Sequence, residues 1–425
     1  MWYQKLLQIW KLKDLRNSIL FVLGIFVVFR IAAHIPIPGI DAQALKDYFA
    51  SNQLLGIMNI LSAGGMENFS IVAMGVGPYI TASIILQLLT MIIPKLEEIS
   101  KDGEAGRKRI NQWTRMLTVP LAALQGYSLI ALLNRSSAQI FTSLDPVKLI
   151  SIIITVTAGT MFLMWLGELI SEKHVGNGIS LLIFVGIVTR IPDALKQTIA
   201  IFDSTQLLTL IVFAVVAVLT IVGVVIITEG QRNVPVSYAK RVRGMKMYGG
   251  VNTHLPLRVN MAGVIPIIFA ISIILFPTMI AQFFLTAKSE ILINIANGVI
   301  SLFSNNIFYS SLYFLLVFGF TYFYTEVVFH PDQISENLQK QGGFIPGIRP
   351  GASTSEYLTN VISRITWAGA IFLAVVAIVP FFIQKITPSM TLSSAGLVIV
   401  VGVSLDVMQQ LEAQLLMRNY EGFIK

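Results

Sequence analysis

The residues of this chain that could do chemistry are few and scattered. Its 425 residues include four His and no Cys, which excludes thiol chemistry, disulfides and thiolate metal ligation. No two His have the spacing of a metal site, and no carboxylates cluster as hydrolysis would require. The glycines around Gly176 and Gly342 fit turns and do not fit a phosphate-binding loop. We therefore predict no enzymatic activity, no catalytic residue, no metal and no cofactor.

Ionisable residues within the apolar stretches lie towards the ends of those stretches. They are Arg30, His34, Glu168, Glu326 and Asp406. Since ion-coupled transporters need such groups near the bilayer midplane, this placement favours snorkelling or helix-end pairing over a proton relay. The deeper polar residues are neutral: Thr81, Ser83, Gln87 and Thr90. Their common role is hydrogen bonding between helices, and the alternative is a helix face that is sometimes wet and sometimes lipid-facing.

The elements that must position these residues are membrane-spanning helices. Hydrophobic residues make up 55% of the chain, charged residues 12%, and the mean hydropathy is +0.75. Continuous apolar runs of about 20 residues predict an all-α polytopic protein and disfavour a transmembrane barrel. We predict ten spans, at 18–36, 70–92, 114–133, 148–168, 178–192, 206–228, 260–285, 308–327, 360–383 and 391–411.

The positive charges indicate how the spans are oriented. With the N-terminus in the cytoplasm, 22 of the 30 Lys and Arg fall in cytoplasmic segments. We therefore predict a cytoplasmic segment at 1–17, an external linker at 193–205 and a cytoplasmic tail at 412–425. Two long cytoplasmic loops, 229–259 and 328–359, exceed the length that a simple connection needs.

A short internal repeat suggests that the chain has two related halves. Gly75 to Ile80 and Gly263 to Ile268 both read G-V-x-P-x-I, 188 residues apart, at the start of spans two and seven. The predicted topology gives these two spans opposite directions, so we expect pseudo-symmetric inverted halves at 18–192 and 206–411. Coincidence between two apolar helices is the alternative explanation.

The segment before span two, Met58 to Phe69, is too short and too rich in glycine to cross a membrane. It lies at the surface or re-enters a cavity lined by protein. An amphipathic surface turn is one interpretation, and a short movable re-entrant piece is the other.

Several long motifs follow one another along nearly the whole chain: Ile57 to Thr90, Trp165 to Glu168 with Gly176 to Ser180, Tyr238 to Arg241, Thr253 to Asn260, Gly263 to Phe269, and Gly343 to Gly351. Together they resemble the bacterial branch of the SecY family of protein-conducting channels. The resemblance implies a central pore between the two halves, closed by a collar of aliphatic side chains. The collar would comprise Val76, Ile80, Ile179, Ile183, Ile268 and Ile399. A ring of this kind can block ions by dewetting and makes no sequence-specific hydrogen bonds, although core packing would explain any one of these residues alone.

The resemblance also implies a plug, a lateral gate and docking loops. The plug residues would be Met58, Asn59, Ile60, Gly64, Gly65, Met66, Glu67, Asn68 and Phe69. The gate would use Gln87, Thr90, Ser272 and Phe276. Docking of a motor or ribosome would use Arg232, Lys240, Arg241, Arg243, Lys246 and Arg349, although the positive-inside rule alone accounts for most of this charge. The partners implied are the SecE and SecG subunits, the SecA ATPase, the translating ribosome, signal sequences, nascent chains and membrane lipids.

Two other functions compete with a protein-conducting channel. A small-solute secondary transporter would also use an inverted repeat, but it needs polar or charged ligands where this chain has Ile and Val. A membrane scaffold or insertase without a pore would need neither a plug nor a collar. The bacterial cytoplasmic membrane is the expected location.

Overall fold

Helices make up most of the computed structural model. It describes residues 10–38, 40–41, 43–45, 59, 62, 64–135, 140, 145–192, 196, 207–238, 241–243, 246–248, 252–285, 289–386 and 394–424. In the first half the helices are α1 (Lys13–Ala33), α2 (Gly77–Ile92), α3 (Pro94–Lys101), α4 (Gly103–Arg135), α5 (Pro146–Glu172) and α6 (Gly178–Val188). In the second half they are α7 (Leu207–Glu229), α8 (Ile265–Phe284), α9 (Glu290–Ser304), α10 (Asn306–Val328), α11 (Pro331–Lys340), α12 (Ala352–Ile386) and α13 (Ser394–Ile424).

Each of the ten predicted spans coincides with a helix, which confirms an all-α polytopic membrane protein. Among the residues that the structure describes, eight helices are long and apolar enough to cross a membrane. The pair α2 and α3, bent by 105° at Ile93, would count as a ninth. Helix α6 has 11 residues, about 17 Å of rise, and is shorter than the roughly 30 Å of a hydrocarbon core.

The predicted second span begins seven residues too early. Residues 70–76 form turns, and helix α2 starts at Gly77. Gly75 has φ +57°, a conformation that interrupts a right-handed helix, and Pro78 lies in the first turn, where its missing N–H is tolerated. Similarly, the predicted cytoplasmic tail at 412–425 continues α13 as helix to Ile424.

The described chain divides into two compact units whose sequence ranges interleave. Unit 1 comprises Met1–Ser204, Ile271–Tyr309 and Ser389–Lys425, and unit 2 comprises Thr205–Ala270 and Ser310–Pro388. In unit 1, α2 packs against α4, α4 against α5, α5 against α6, and α6 against α13. Small residues allow the close approaches: a methyl group on Gly178 would lie 1.8 Å from the carbonyl oxygen of Gly167.

Unit 2 contains β-strands that the sequence did not lead us to predict. They are β1 (Gln231–Tyr238), β2 (Arg241–Arg243), β3 (Lys246–Tyr248), β4 (Asn252–Arg258) and β5 (Gly343–Phe344). Strand β1 pairs antiparallel with β4 on one side and β5 on the other, and β2 pairs with β3. The two loops predicted to be cytoplasmic are therefore joined in one sheet, through Ser237 opposite Phe344 and Tyr238 opposite Gly343. A common core lies beneath, comprising Val234, Val236, Leu257, Ile345, Leu358 and Ile362.

Candidate functional site

The segment before α2 folds into a compact turn organised by Asn59. The Asn59 side chain accepts from the backbone N–H of Glu67 at 3.2 Å and donates to the Glu67 carboxylate at 3.0 Å. The Ser62 hydroxyl donates to the carbonyl of Asn59 and accepts from the N–H of Met66. Asn59, Ser62 and Met66 are buried. Met58 and Ile60, also predicted as plug residues, lie outside the described residues.

One ion pair ties this turn to the end of α6. The guanidinium of Arg190, two residues after α6, donates to the same Glu67 carboxylate that Asn59 contacts. The Glu67 and Arg190 side chains are 32% and 38% exposed. The pair is partly screened by solvent, so it can be broken at modest cost.

The other end of the turn is anchored on the chain that follows α1. Pro36 and Ser70 form an isolated antiparallel bridge, in which the N–H of Ile37 donates to the carbonyl of Phe69 and the N–H of Ile71 donates to that of Ile35. Phe69 is buried and has φ +41°, a left-handed conformation that is uncommon outside glycine. This end of the segment is fixed, while the Asn59 end depends on polar contacts.

The two copies of the G-V-x-P-x-I repeat have the same local structure. Gly75 and Gly263 have φ +57° and +62°, and each lies two residues before the first residue of a helix. Because only glycine adopts this conformation at little cost, the repeat encodes a helix start. Ile80 and Ile268 follow at matching positions, and both are buried.

The other predicted collar residues differ in their surroundings. Val76 is buried beside Ile80, and Ile183 and Ile399 are buried on α6 and α13, two helices in direct contact. Ile179 is half-buried, and its Cδ1 atom lies 2.6 Å from where a methyl group on Gly167 would be. This side chain therefore packs tightly against α5. Ile268 belongs to unit 2, whereas the other five collar residues belong to unit 1.

A cleft in unit 1 joins the turn to α2, α4 and α8. Its outline encloses about 350 Å³, part of which is open to solvent. Its lining residues are Met66, Met74, Gly77, Thr81, Gln125, Ser272, Leu275 and Met279. Three methionines provide an apolar, adaptable wall, and Thr81, Gln125 and Ser272 add polar groups. Ser272 is the one predicted gate residue that lines this cleft.

Two of the remaining predicted gate residues, Gln87 and Thr90, belong to a polar ladder, a row of hydrogen-bonded polar residues further along α2. The side-chain amide of Gln87 donates to the Ser83 hydroxyl at 3.1 Å, and the Thr90 hydroxyl donates to the backbone carbonyl of Gln87 at 2.7 Å. The Gln87 Oε1 atom is buried and has no hydrogen-bond partner within the described part of the chain. Phe276 is half-buried on α8. The cleft and the ladder thus present polar groups on different parts of α2.

The predicted docking residues that the structure describes lie in unit 2, on or next to strands β1–β5, which together form its sheet module. Arg232 is exposed on β1, opposite Leu257. Arg349 is also exposed, and its carbonyl accepts from the Thr354 hydroxyl at 2.9 Å. Arg241, Arg243 and Lys246 belong to the β2–β3 hairpin, and Lys240 lies outside the described residues.

Helix-end pairing is confirmed for one of the ionisable residues in the spans. The Glu168 carboxylate, near the end of α5, forms an ion pair with Arg115 of α4, with 2.7 Å between Oε1 and Nε. The His34 ring is 2.8 Å from the carbonyl of Arg30, one turn earlier. The first contact joins two helices and the second is local, and in both the predicted residue lies near the end of its helix.

Sequence reasoning missed two residues of this site, Arg190 and Gln125. Arg190 counted only as one of the basic residues outside the predicted cytoplasmic segments, whereas Asn59 was predicted as a plug residue but without its hydrogen-bond partners. Gln125 was also missed, although a lone Gln within the apolar run of α4 was a signal that could have identified it. Nothing in the sequence linked Arg190 to Glu67, because they are 123 residues apart.

The fold and this site define a class: a multi-pass α-helical membrane protein with a loop folded at the start of one span. The SecY family profile matches residues 70–408. The chain is 42% identical to the protein translocase subunit SecY of Halalkalibacterium halodurans, over 100% of both chains. It is also 42% identical to the same subunit of Mycobacterium bovis, over 97% of each. The chain belongs to the SecY family.

Solved structures show the same fold at lower identity. A SecY protein described for the role of its plug domain in the closed channel is 17% identical, with a TM-score of 0.62, over 92% of this chain and 91% of that one. Sec61 from a canine ribosome–channel complex is 16% identical, with a TM-score of 0.61, over 92% and 90% of the two chains.

Proposed function

We propose that this chain is the channel subunit of a protein translocase, which passes unfolded preproteins across a membrane and releases transmembrane helices sideways into it. The observation that carries the proposal is the turn at Asn59–Ser70, because a backbone bridge fixes it at Ser70, whereas its Asn59 end is held by hydrogen bonds to Ser62 and to Glu67, whose ion pair with Arg190 is partly exposed. A segment anchored in this way can move out and return. Family membership supports the same function.

The collar would be the seal through which the chain passes. Val76, Ile80, Ile183, Ile268 and Ile399 are all buried aliphatic residues. A narrow aliphatic constriction excludes water and ions by dewetting. It offers no hydrogen-bond pattern to a passing chain, so sequence does not limit what it admits. Because Ile179 packs against α5, we expect it to hold the collar in place and not to line the opening itself.

The lateral gate would open between α2 and α8, the two helices that begin with the repeat. Thr81 and Ser272 share the cleft, so a shift of either helix would enlarge a space that is already formed. The buried Gln87 Oε1 atom offers an acceptor to a donor on an entering signal sequence. An apolar helix in this position could partition into lipid.

The sheet module would be the docking platform for the energy source. The proposed channel has no ATPase of its own, so a SecA-type motor or a translating ribosome would supply the work. Because β1 and β5 join the two cytoplasmic loops, Arg232 and Arg349 are presented by one packed body. Exposed arginines on a rigid base suit ribosomal RNA phosphates or acidic protein surfaces.

The arrangement in the cell follows from the charge distribution. We place both termini in the cytoplasm, the turn at Asn59–Ser70 on the external side, and the protein in the bacterial cytoplasmic membrane with SecE and SecG. A small-solute transporter is the alternative, but it would need polar side chains near the membrane midplane to bind its solute, and the collar positions proposed there carry Ile and Val.

Reconstitution in vesicles tests the proposal. The complex with SecE and SecG is supplied with SecA, ATP and a preprotein, and protease-protected preprotein is measured. Thr81 and Ser272 are replaced together by Cys in this cysteine-free chain and bridged by a short bismaleimide. We expect bridging to abolish protection, whereas each single variant treated with the same reagent stays active. No protected preprotein with the unmodified complex, or full activity after bridging, would overturn the proposal.

A further inference from the structure

Helix α9, between spans α8 and α10, has a strongly amphipathic sequence. Projected at 100° per residue, its polar residues Glu290, Asn294, Asn297, Ser301 and Ser304 gather on one arc. Ile, Leu, Val and Phe occupy the rest of the circumference. The helix has 15 residues, about 22 Å, which is too short to cross a bilayer.

The apolar surface of α9 is only partly covered by the protein. Ala296 is buried, and Ile293, Val299, Ile300 and Phe303 are partly buried. A second apolar edge is open, with Ile291 73%, Ile295 59% and Leu302 46% exposed. The helix therefore has three sides: one against the protein, one polar, and one apolar without a partner in the described structure.

The open edge continues the apolar surface of the neighbouring spans. Phe283 and Phe284 at the end of α8, and Ile307 and Phe308 at the start of α10, are also exposed. Exposed apolar side chains therefore occur at the end of α8, along one edge of α9 and at the start of α10. A lipid surface is the occupant that meets all of these segments at once.

The corner between α9 and α10 fixes the helix in place. Asn305 ends α9, and its side chain accepts from the N–H of Ile307 at 3.0 Å at the start of α10. Phe303 and Phe308 pack edge-to-face across this corner, with centroids 5.5 Å apart. With a single residue between the helices, α9 cannot swing freely away from the span.

We propose that α9 is an interfacial helix, which lies in the headgroup region of the outer leaflet with Ile291, Ile295 and Leu302 inserted among the acyl chains. Within Glu290–Ser304 the one charged residue is Glu290, and the nearest basic residue in the sequence is Lys288, just before the helix. Because the helix itself has no basic residue, insertion depends mainly on apolar burial.

Depth measurement by fluorescence tests the proposal. Because the chain has no cysteine, Ile295→Cys, Leu302→Cys and the polar-face control Asn297→Cys each carry one environment-sensitive NBD label. The labelled full chain is reconstituted with its small partner subunits in phosphatidylcholine vesicles containing lipids with a doxyl group near the headgroup or near the acyl-chain end. We expect blue-shifted emission and loss of fluorescence with the headgroup-proximal doxyl at 295 and 302, and water-like, unquenched emission at 297.

Three results would overturn the proposal. Water-like emission at both 295 and 302 would place α9 off the membrane. Shielded emission that no doxyl lipid quenches would identify a protein, either a partner subunit or a second copy, as the occupant. A change in depth at 295 when phosphatidylglycerol or salt is added would show an electrostatic attachment. The readout measures depth alone, so it does not depend on translocation or on which leaflet faces outward.

Discussion

Replacing Glu67 by Gln should weaken the closed position of the proposed plug. The carboxylate accepts from both Arg190 and Asn59, and the change removes the charge from both contacts. Exposed ion pairs contribute about 0.2–1 kcal/mol and charge-assisted hydrogen bonds about 1.5–3 kcal/mol. At 32% and 38% exposure, an intermediate loss of about 1–2 kcal/mol follows. The displaced population would rise by a factor of about 5–30.

Ion leak through the resting complex measures this population. Purified complexes in vesicles with a potassium gradient are compared without motor or preprotein. The matched control is Glu290→Gln, which removes the same charge from an exposed residue of α9. We expect higher leak in Glu67→Gln and in Arg190→Gln, and unchanged leak in the control.

Charge reversal separates the ion pair from general destabilisation. The double variant Glu67→Arg with Arg190→Glu should restore most of the seal, since the pair reforms with opposite polarity. Leak in Glu67→Gln no higher than in Glu290→Gln would refute the reasoning. The reasoning would also be refuted if the effects of the two single changes on ion leak simply added, because two residues in one contact should be energetically coupled.

Three further predictions concern the collar, the packing around the plug and the docking platform. Ile399→Asn places a polar group in a fully buried aliphatic site, so potassium leak should rise and signal-sequence selection should relax; unchanged values for both would count against a collar. Gly159→Ala should destabilise the protein by about 1–3 kcal/mol in thermal unfolding, because the added methyl would lie 1.8 Å from a carbonyl oxygen, whereas Gly298→Ala, with open space around it, should not. Arg349→Glu should lower motor or ribosome binding severalfold in cosedimentation at low salt and less at high salt; equal loss at both would contradict an electrostatic contact.

The sequence predicted the helices well because their signals are local. Apolar runs located ten of the thirteen described helices, but not the short helices α3, α9 and α11. Gly75 with Pro78 marks where α2 starts. Strands β2, β3 and β5 were missed because two or three residues are too few for an alternating pattern. The pairing of β1 with β5, across more than 100 residues, could not be read from either segment alone. The boundaries of the compact units were not foreseen for the same reason.

The candidate site was predictable in its residue types and not in its contacts. The repeat identified Ile80 and Ile268 as equivalent positions, and both are buried. The partners of Glu67 required the fold, since an ion pair between a glycine-rich turn and the end of α6 depends on tertiary position. The exposed apolar edge of α9 likewise required the structure, because the sequence does not distinguish apolar side chains packed on the protein from those left exposed.

Crosslinking of a stalled preprotein to the collar tests the central claim most directly. Photoreactive probes at Ile80, Ile268 and Ile399, with a control probe at lipid-exposed Ile154 of α5, are placed in the complex with SecE, SecG and SecA. A preprotein arrested halfway should crosslink to all three collar positions and not to the control. Crosslinks absent from all three collar positions, or equally strong at the control, would contradict a pore through the aliphatic ring.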